Sequence, residues 1–211
     1  HRAQGDSAAF KKLAIGAGNI ILGLATPLAV GLFLLAPEAI LLFSGPNFVA
    51  AVPAMRVMCV DLLFSSLNGF VAWQILMPCN LEKALLGATL AGGATDFILN
   101  LIFIPLWGVS GAATATVVSE LVVLALCLLS CRTQLAFGEL SRFFWQYAIA
   151  CMPFFFVRRL VGALVQGTVA VIACTVVSCV ALYFLALLAL RNPYLAQVSS
   201  TCLSAFKKLR R

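Results

Sequence analysis

Apolar runs long enough to cross a bilayer recur along this chain, and no other feature limits its fold so severely. About 20 residues, rising about 1.5 Å each as a helix, cross a hydrocarbon core about 30 Å thick. Lipid offers no water to unpaired backbone N–H and C=O groups, so each run has to be helical. The runs are Leu13 to Phe43, interrupted by Pro27 and Pro37; Phe48 to Met77; Leu85 to Ile104; Val109 to Leu129; Phe143 to Val157; and Thr168 to Leu190. Composition agrees, with 63% hydrophobic and 10% charged residues, against about 45–50% and about 25% in a soluble domain. The expected fold class is an all-α integral membrane protein with six transmembrane helices. The fifth run has 15 residues and barely spans. Arg158 and Arg159 sit where it would continue, so it either tilts or extends to Leu164 with both arginines snorkelling.

The basic residues orient the spans. Arg2, Lys11, Lys12, Lys83, Arg132, Arg142, Arg191, Lys207, Lys208, Arg210 and Arg211 fall on one side, and Arg56, Arg158 and Arg159 at or near the other. Under the positive-inside tendency both termini face the cytoplasm, as an even number of spans requires. The net charge of +7 then reads as a topology signal and a contact with anionic membrane lipids; nucleic acid is not an expected partner. The expected segments are 1–12, cytoplasmic; 13–130, four helices; 131–142, a cytoplasmic loop; 143–190, two further helices; and 191–211, a basic tail. Leu195 to Arg211 forms either an amphipathic surface helix, with Leu203 and Phe206 on one side, or a solvated tail.

Between the third and fourth runs lies NLIFIPLWGVSGAATATVVSE, Asn100 to Glu120. Pro105 removes a helical hydrogen bond, and Trp107 beside Gly108 suits a membrane interface, so a tight hairpin is expected there. Gly111, Ala112, Ala113 and Ala115 then open the next helix, where small side chains let helices approach closely.

GATDFILNLIFIPLWGVSGAATATVVSE resembles a segment of the polysaccharide and oligosaccharide flippases, within the multidrug and oligosaccharidyl-lipid exporter superfamily. There an Asn-containing helix ends in Ile-Pro, turns at Gly and restarts with Gly-Ala-Ala. ATPLAVGLFLLAPEAILLFSGPNFVAAVPAMRVM is similar to the family's proline-bearing helix with its Leu-Phe-x-Gly exit, and Ala181 to Leu190 around Tyr183 to its last span. The resemblance covers Ala14 to Leu190. It implies two lobes and about fourteen helices, of which these six would be the last, the final two being additions to the C-terminal lobe. The chain begins at His1, so it is expected to lack an N-terminal lobe as the C-terminal part of a longer protein.

Ionisable and polar side chains within spans cost about 2.5–3.5 kcal/mol each when charged, which makes them the candidate site. Asp61, Ser65 and Asn68 form one stripe, Asp96 and Asn100 a second, Thr116 and Glu120 a third. They either line a hydrated pathway for substrate and ion or bond neighbouring helices, and Asp96 and Glu120 could exchange protons. Asp61 has Arg56 as an alternative partner. Glu38, after Pro37, reads as interfacial.

His1 is the only histidine, which removes His-based catalysis and ordinary zinc sites. Cys59, Cys127, Cys131, Cys151, Cys174 and Cys179 lie in or at the edges of spans and Cys79 and Cys202 on the basic side, so free thiols are expected. Glycines 16, 18, 23, 31, 92 and 93 lie inside spans, where they serve packing or bending. No metal or cofactor is expected, and the connections leave no room for a soluble catalytic domain.

The resemblance implies a bacterial cytoplasmic-membrane flippase, not an enzyme. It would translocate undecaprenyl-diphosphate-linked oligosaccharide for polysaccharide biosynthesis by alternating access, coupled to protons or sodium ions. Arg56 is the intramembrane cation placed to meet a diphosphate, with Asp61, Asp96 and Glu120 for coupling or for sugar hydroxyls. The alternatives are a multidrug or peptidoglycan-precursor exporter of the same superfamily, and a membrane-embedded glycan polymerase or ligase with Arg158 and Arg159 as its candidates.

Overall fold

The computed structural model describes residues 7–132 and 137–190, with side chains for 10–132 and 144–190. His1, Arg2, Cys202, Arg142 as a side chain and the expected tail helix lie outside the described residues. The helices are α1 Ser7–Phe43, α2 Val52–Val71, α3 Glu82–Trp107, α4 Val109–Cys131, α5 Phe137–Cys151, α6 Pro153–Leu164 and α7 Thr168–Ala189. They supply six spans long and apolar enough to cross a membrane, the fifth being Phe144–Leu164, built from α5 and α6. Lys11, Lys83 and Arg132 mark one face of the bundle, called here the basic face; Phe43, Trp107 and Leu164 mark the opposite face.

Helix α1 runs unbroken through Pro27 and Pro37. Proline survives in a membrane helix when another donor meets the carbonyl it orphans. Pro27 has no N–H for the carbonyl of Gly23, four residues earlier, and the Tyr183 hydroxyl of α7 donates to that oxygen at 2.5 Å. Gly23 also makes room for a second ring, since a Cβ there would sit 3.2 Å from Tyr147 Cε1 of α5. One proline and one glycine thus tie α1 to both α5 and α7. Tyr183→Phe should cost about 1–2 kcal/mol in unfolding from mixed micelles. Pro27→Ala, which returns the missing N–H, should remove most of that cost; an equal cost in both backgrounds would show that the hydroxyl is not replacing the lost bond.

Helix α1 stops where the sequence offers a left-handed residue. Gly45 lies at φ 87°, and the Gly45 and Ser44 amides both donate to the Ile40 carbonyl. A 3-10 turn Pro46–Ala51 leads into α2. At the basic face α2 ends in one π-helical turn, Ala72–Leu76, and a short 3-10 turn Met77–Cys79. Asn80, at φ 55°, then reverses the chain into α3.

The hairpin between α3 and α4 is tighter than expected. Helix α3 continues through Pro105 to Trp107, and Gly108 alone makes the turn at φ 58°. Its amide bonds the Ile104 carbonyl at 2.8 Å, and its own carbonyl receives the Gly111 and Ala112 amides. Pro105 near a helix end removes one bond without ending the helix. Gly111, Ala115 and Ser119 of α4 and Ala88 and Gly92 of α3 are buried along this hairpin, with Gly111 opposite Phe103 and Gly92 opposite Ser119 and Val123. At Gly92 a Cβ would collide with Val123, and at Gly111 with the Phe103 carbonyl.

Helix α4 packs against α2 and α3, while α1 packs against α2 and against α5 and α7. Phe70, Val71, Ile75, Leu76, Cys127, Cys131 and Tyr147 are fully buried in the shared core. The fifth span is longer than Phe143 to Val157. It reaches Leu164, the longer of the two expected forms, and breaks at Met152, because Pro153 opens a new helix without a donor for the previous turn.

Candidate functional site

The three intramembrane carboxyls on α2, α3 and α4 lie in the middle part of their helices. Asp61 lies nine residues from the start of α2, Asp96 eleven from the end of α3 and Glu120 eleven from the start of α4. At about 1.5 Å per residue each lies about 14–16 Å along its helix from that terminus, well inside a core about 30 Å thick. The reversal at Gly108 brings Asp96 and Glu120 to a similar level, and the Asn68–Glu120 bond sets Glu120 level with Asn68, two turns beyond Asp61 on α2.

The α2–α4 contact carries the strongest polar link. Asn68 Nδ2 donates to the Glu120 backbone carbonyl at 2.9 Å and also to the Glu120 carboxylate Oε2. Glu120 is also within electrostatic reach of Asp61. Asp61, 7% exposed, makes no hydrogen bond or ion pair among the described residues. Its Oδ1 and the Asn68 Oδ1 are buried without a donor. The buried face of α2 therefore holds more acceptor oxygens than donors, and buried polar atoms without partners are costly. A proton on a carboxyl, a small monovalent cation or a bound water would meet them.

On α3, Asn100 Nδ2 donates to Asp96 Oδ2 at 2.9 Å within the helix. Ser119 of α4 approaches Asp96 Oδ1 at 3.5 Å, the limit of a hydrogen bond, while donating to the Thr116 carbonyl at 2.8 Å. Thr116 bonds back to Ala112 O of its own helix. Ser65 is exposed, so it does not continue the buried line of Asp61 and Asn68. Thus Asn68 and Glu120 are bonded, with Asp61 two turns from Asn68 on α2 and within electrostatic reach of Glu120; Asp96, Asn100 and Ser119 form a neighbouring set, and Ser65 and Thr116 join neither by a side-chain bond.

Arg56 is not the partner of Asp61. Five residues apart on a helix, they point about 140° away from each other. The Arg56 guanidinium lies over the Phe33 ring of α1, 5.4 Å from its centroid. Glu38 likewise is more than interfacial, because Arg158 Nη2 of α6 donates to Glu38 Oε1 of α1, the only ion pair among the described residues. Sequence carried the signal for this pair as two opposite charges, each inside an apolar run and each a few residues from the opposite face. Ser119 also escaped notice, as a small hydroxyl beside the conspicuous Glu120.

Removing the α2–α4 link tests its role in packing. Asn68→Leu fills the space but leaves Glu120 without its donor, and should destabilise the protein by about 1–2 kcal/mol in unfolding from mixed micelles. Unchanged stability would mean that another group or water meets Glu120. Among the described residues, no group of three or more His, Cys, Asp or Glu could hold a metal ion. No family model, curated protein or solved structure matches this chain.

Proposed function

We propose that the chain is the C-terminal part of an ion-coupled flippase of the bacterial cytoplasmic membrane. It moves undecaprenyl-diphosphate-linked oligosaccharide by alternating access, with both termini in the cytoplasm and a first lobe completing the path. The observation that carries this reading is the donor-poor set of buried oxygens on α2, Asp61 Oδ1 and Asn68 Oδ1, beside the Asn68–Glu120 link between two helices that sliding or rocking would separate. A proton or sodium ion bound there holds α2 and α4 together; its release leaves buried acceptors unmatched and favours the other arrangement. Asp96 and Asn100, half-buried on α3, are placed to meet sugar hydroxyls. Arg56, exposed on α2, is the cation this part offers a diphosphate, and the first lobe supplies the rest.

The test uses the intact protein in proteoliposomes containing the lipid-linked oligosaccharide, with a lectin or glycosidase reporting how much sugar has crossed. Crossing that needs the protein and an imposed proton or sodium gradient is the expected outcome. Crossing no faster than in protein-free vesicles, under either gradient, would overturn the reading.

A further inference from the structure

An apolar groove lies away from Asn68 and Glu120, between α1, α6 and α7, open along its side where Leu24, Leu28, Val180 and Phe184 are exposed. It holds about 280 Å³, with Leu35 of α1, Phe154 of α6 and Thr175 and Cys179 of α7 among its walls. The Thr175 hydroxyl, 1% exposed, has no partner. A polar atom buried at the end of an apolar groove without a bond is costly, and water entering from the aqueous face would relieve it.

The Glu38–Arg158 pair sits on the rim of this space. Glu38 is three residues beyond Leu35, and Arg158 four beyond Phe154, so each charge lies one helical turn nearer the opposite face than a wall residue of its own helix. The joined side chains bridge α1 and α6 over that end. Their side chains are 16% and 24% exposed, and Glu38 Oε2 and Arg158 Nε have no other partner. Gly162, one turn past Arg158, leaves the room its guanidinium occupies, since a Cβ there would lie 2.5 Å from Nη1. The helix bearing Arg158 begins at a joint in the fifth span, where Met152 itself keeps helical dihedrals, φ −54° and ψ −42°. It is separated from α5 by Met152, whose amide makes only a tight-turn bond to Ile149 O at 3.1 Å, and Pro153 adds no donor across the joint.

We propose that the Glu38–Arg158 pair is a latch that closes the α1–α6–α7 groove to water at its end nearer the face opposite the basic one, with α6 swinging at Met152–Pro153 when the pair parts. The pair bonds strongly while both charges are desolvated, and parting becomes favourable only when water or another charge replaces each partner. Parting then hydrates Thr175 and Cys179 together. This device is independent of Asp61 and Glu120 and holds whatever cargo the protein carries.

The test follows N-ethylmaleimide labelling of Cys179 in the membrane-embedded intact protein, read by peptide mass spectrometry. A thiol reacts as thiolate, so one sealed from water reacts slowly. Cys127, 1% exposed in the α2–α4 half, serves as the internal control. Glu38→Gln and Arg158→Gln should each speed labelling of Cys179 by about tenfold, the factor for loss of a charge-assisted contact from the closed state. Cys127 should keep its slow rate. The exchange Glu38→Arg with Arg158→Glu should restore protection of Cys179. Unchanged Cys179 labelling in both single variants would overturn the latch, and so would a parallel rise at Cys127, which would make the pair an ordinary packing bond whose loss loosens the whole bundle.

Discussion

Glu120→Gln is expected to reduce gradient-driven turnover of the lipid-linked oligosaccharide by about a hundredfold, the upper range for couplings of a few kcal/mol, with insertion and folding unchanged. Glutamine keeps an oxygen for the Asn68 amide, and the Glu120 backbone carbonyl still receives its 2.9 Å bond. Packing of α2 on α4 therefore survives, and only the carboxyl group's acidity is lost. Asp61→Asn should act in the same direction, because the buried Asp61 carboxyl has no donor of its own and lies within electrostatic reach of Glu120. Asp96→Asn should reduce turnover less, since the Asp96–Asn100 bond lies within one helix and does not join moving parts. Normal turnover in Glu120→Gln and Asp61→Asn would return both carboxyls to structural roles. Loss of protein from the membrane would be a folding defect, and is read separately from the amount inserted.

The largest expected effect on stability lies at the hairpin. Gly111→Ala should destabilise the protein by about 3 kcal/mol, near the top of the usual cost of overpacking. The new methyl group would meet the Phe103 carbonyl, and backbone cannot swing aside as a side chain can. The turn has no slack either, because Gly108 alone joins the helices and its carbonyl receives both the Gly111 and Ala112 amides. Gly93→Ala makes the matched control, since a Cβ there meets nothing within 4 Å; it should be neutral or slightly stabilising through better helix propensity. Equal unfolding midpoints for the two variants would mean that α3 and α4 can separate at this level without cost.

Much of the helical architecture was legible because lipid leaves the backbone one economical choice, and run length then sets the number of spans. The limits of α5 and α6 were not legible, because the joint at Met152 falls inside an apolar run and polar residues precede it. Pro105 suggested a helix end, but so near the turn it deprives only one carbonyl of its donor. The stripes on α2, α3 and α4 could be read from i, i+4 spacing, whereas their pairing could not. Which stripe meets which depends on crossing angles set by small residues such as Gly92 and Gly111. Nor could Glu38 and Arg158 be matched, being 120 residues apart; equal depth below one face is their only shared mark. Arg56 and Asp61 show the opposite error, where nearness in sequence suggested a bond that helical geometry denies.

The most direct measurement records sugar crossing, lumenal pH and radioactive sodium uptake together, in proteoliposomes of the intact protein and of its Asp61→Asn and Glu120→Gln variants. In the unaltered protein one ion species should cross in a fixed ratio to the lipid-linked sugar, and both fluxes should stop in each variant. Sugar crossing that continues at the same rate with no ion flux, in the unaltered protein or in the variants, would contradict ion coupling through these carboxyls.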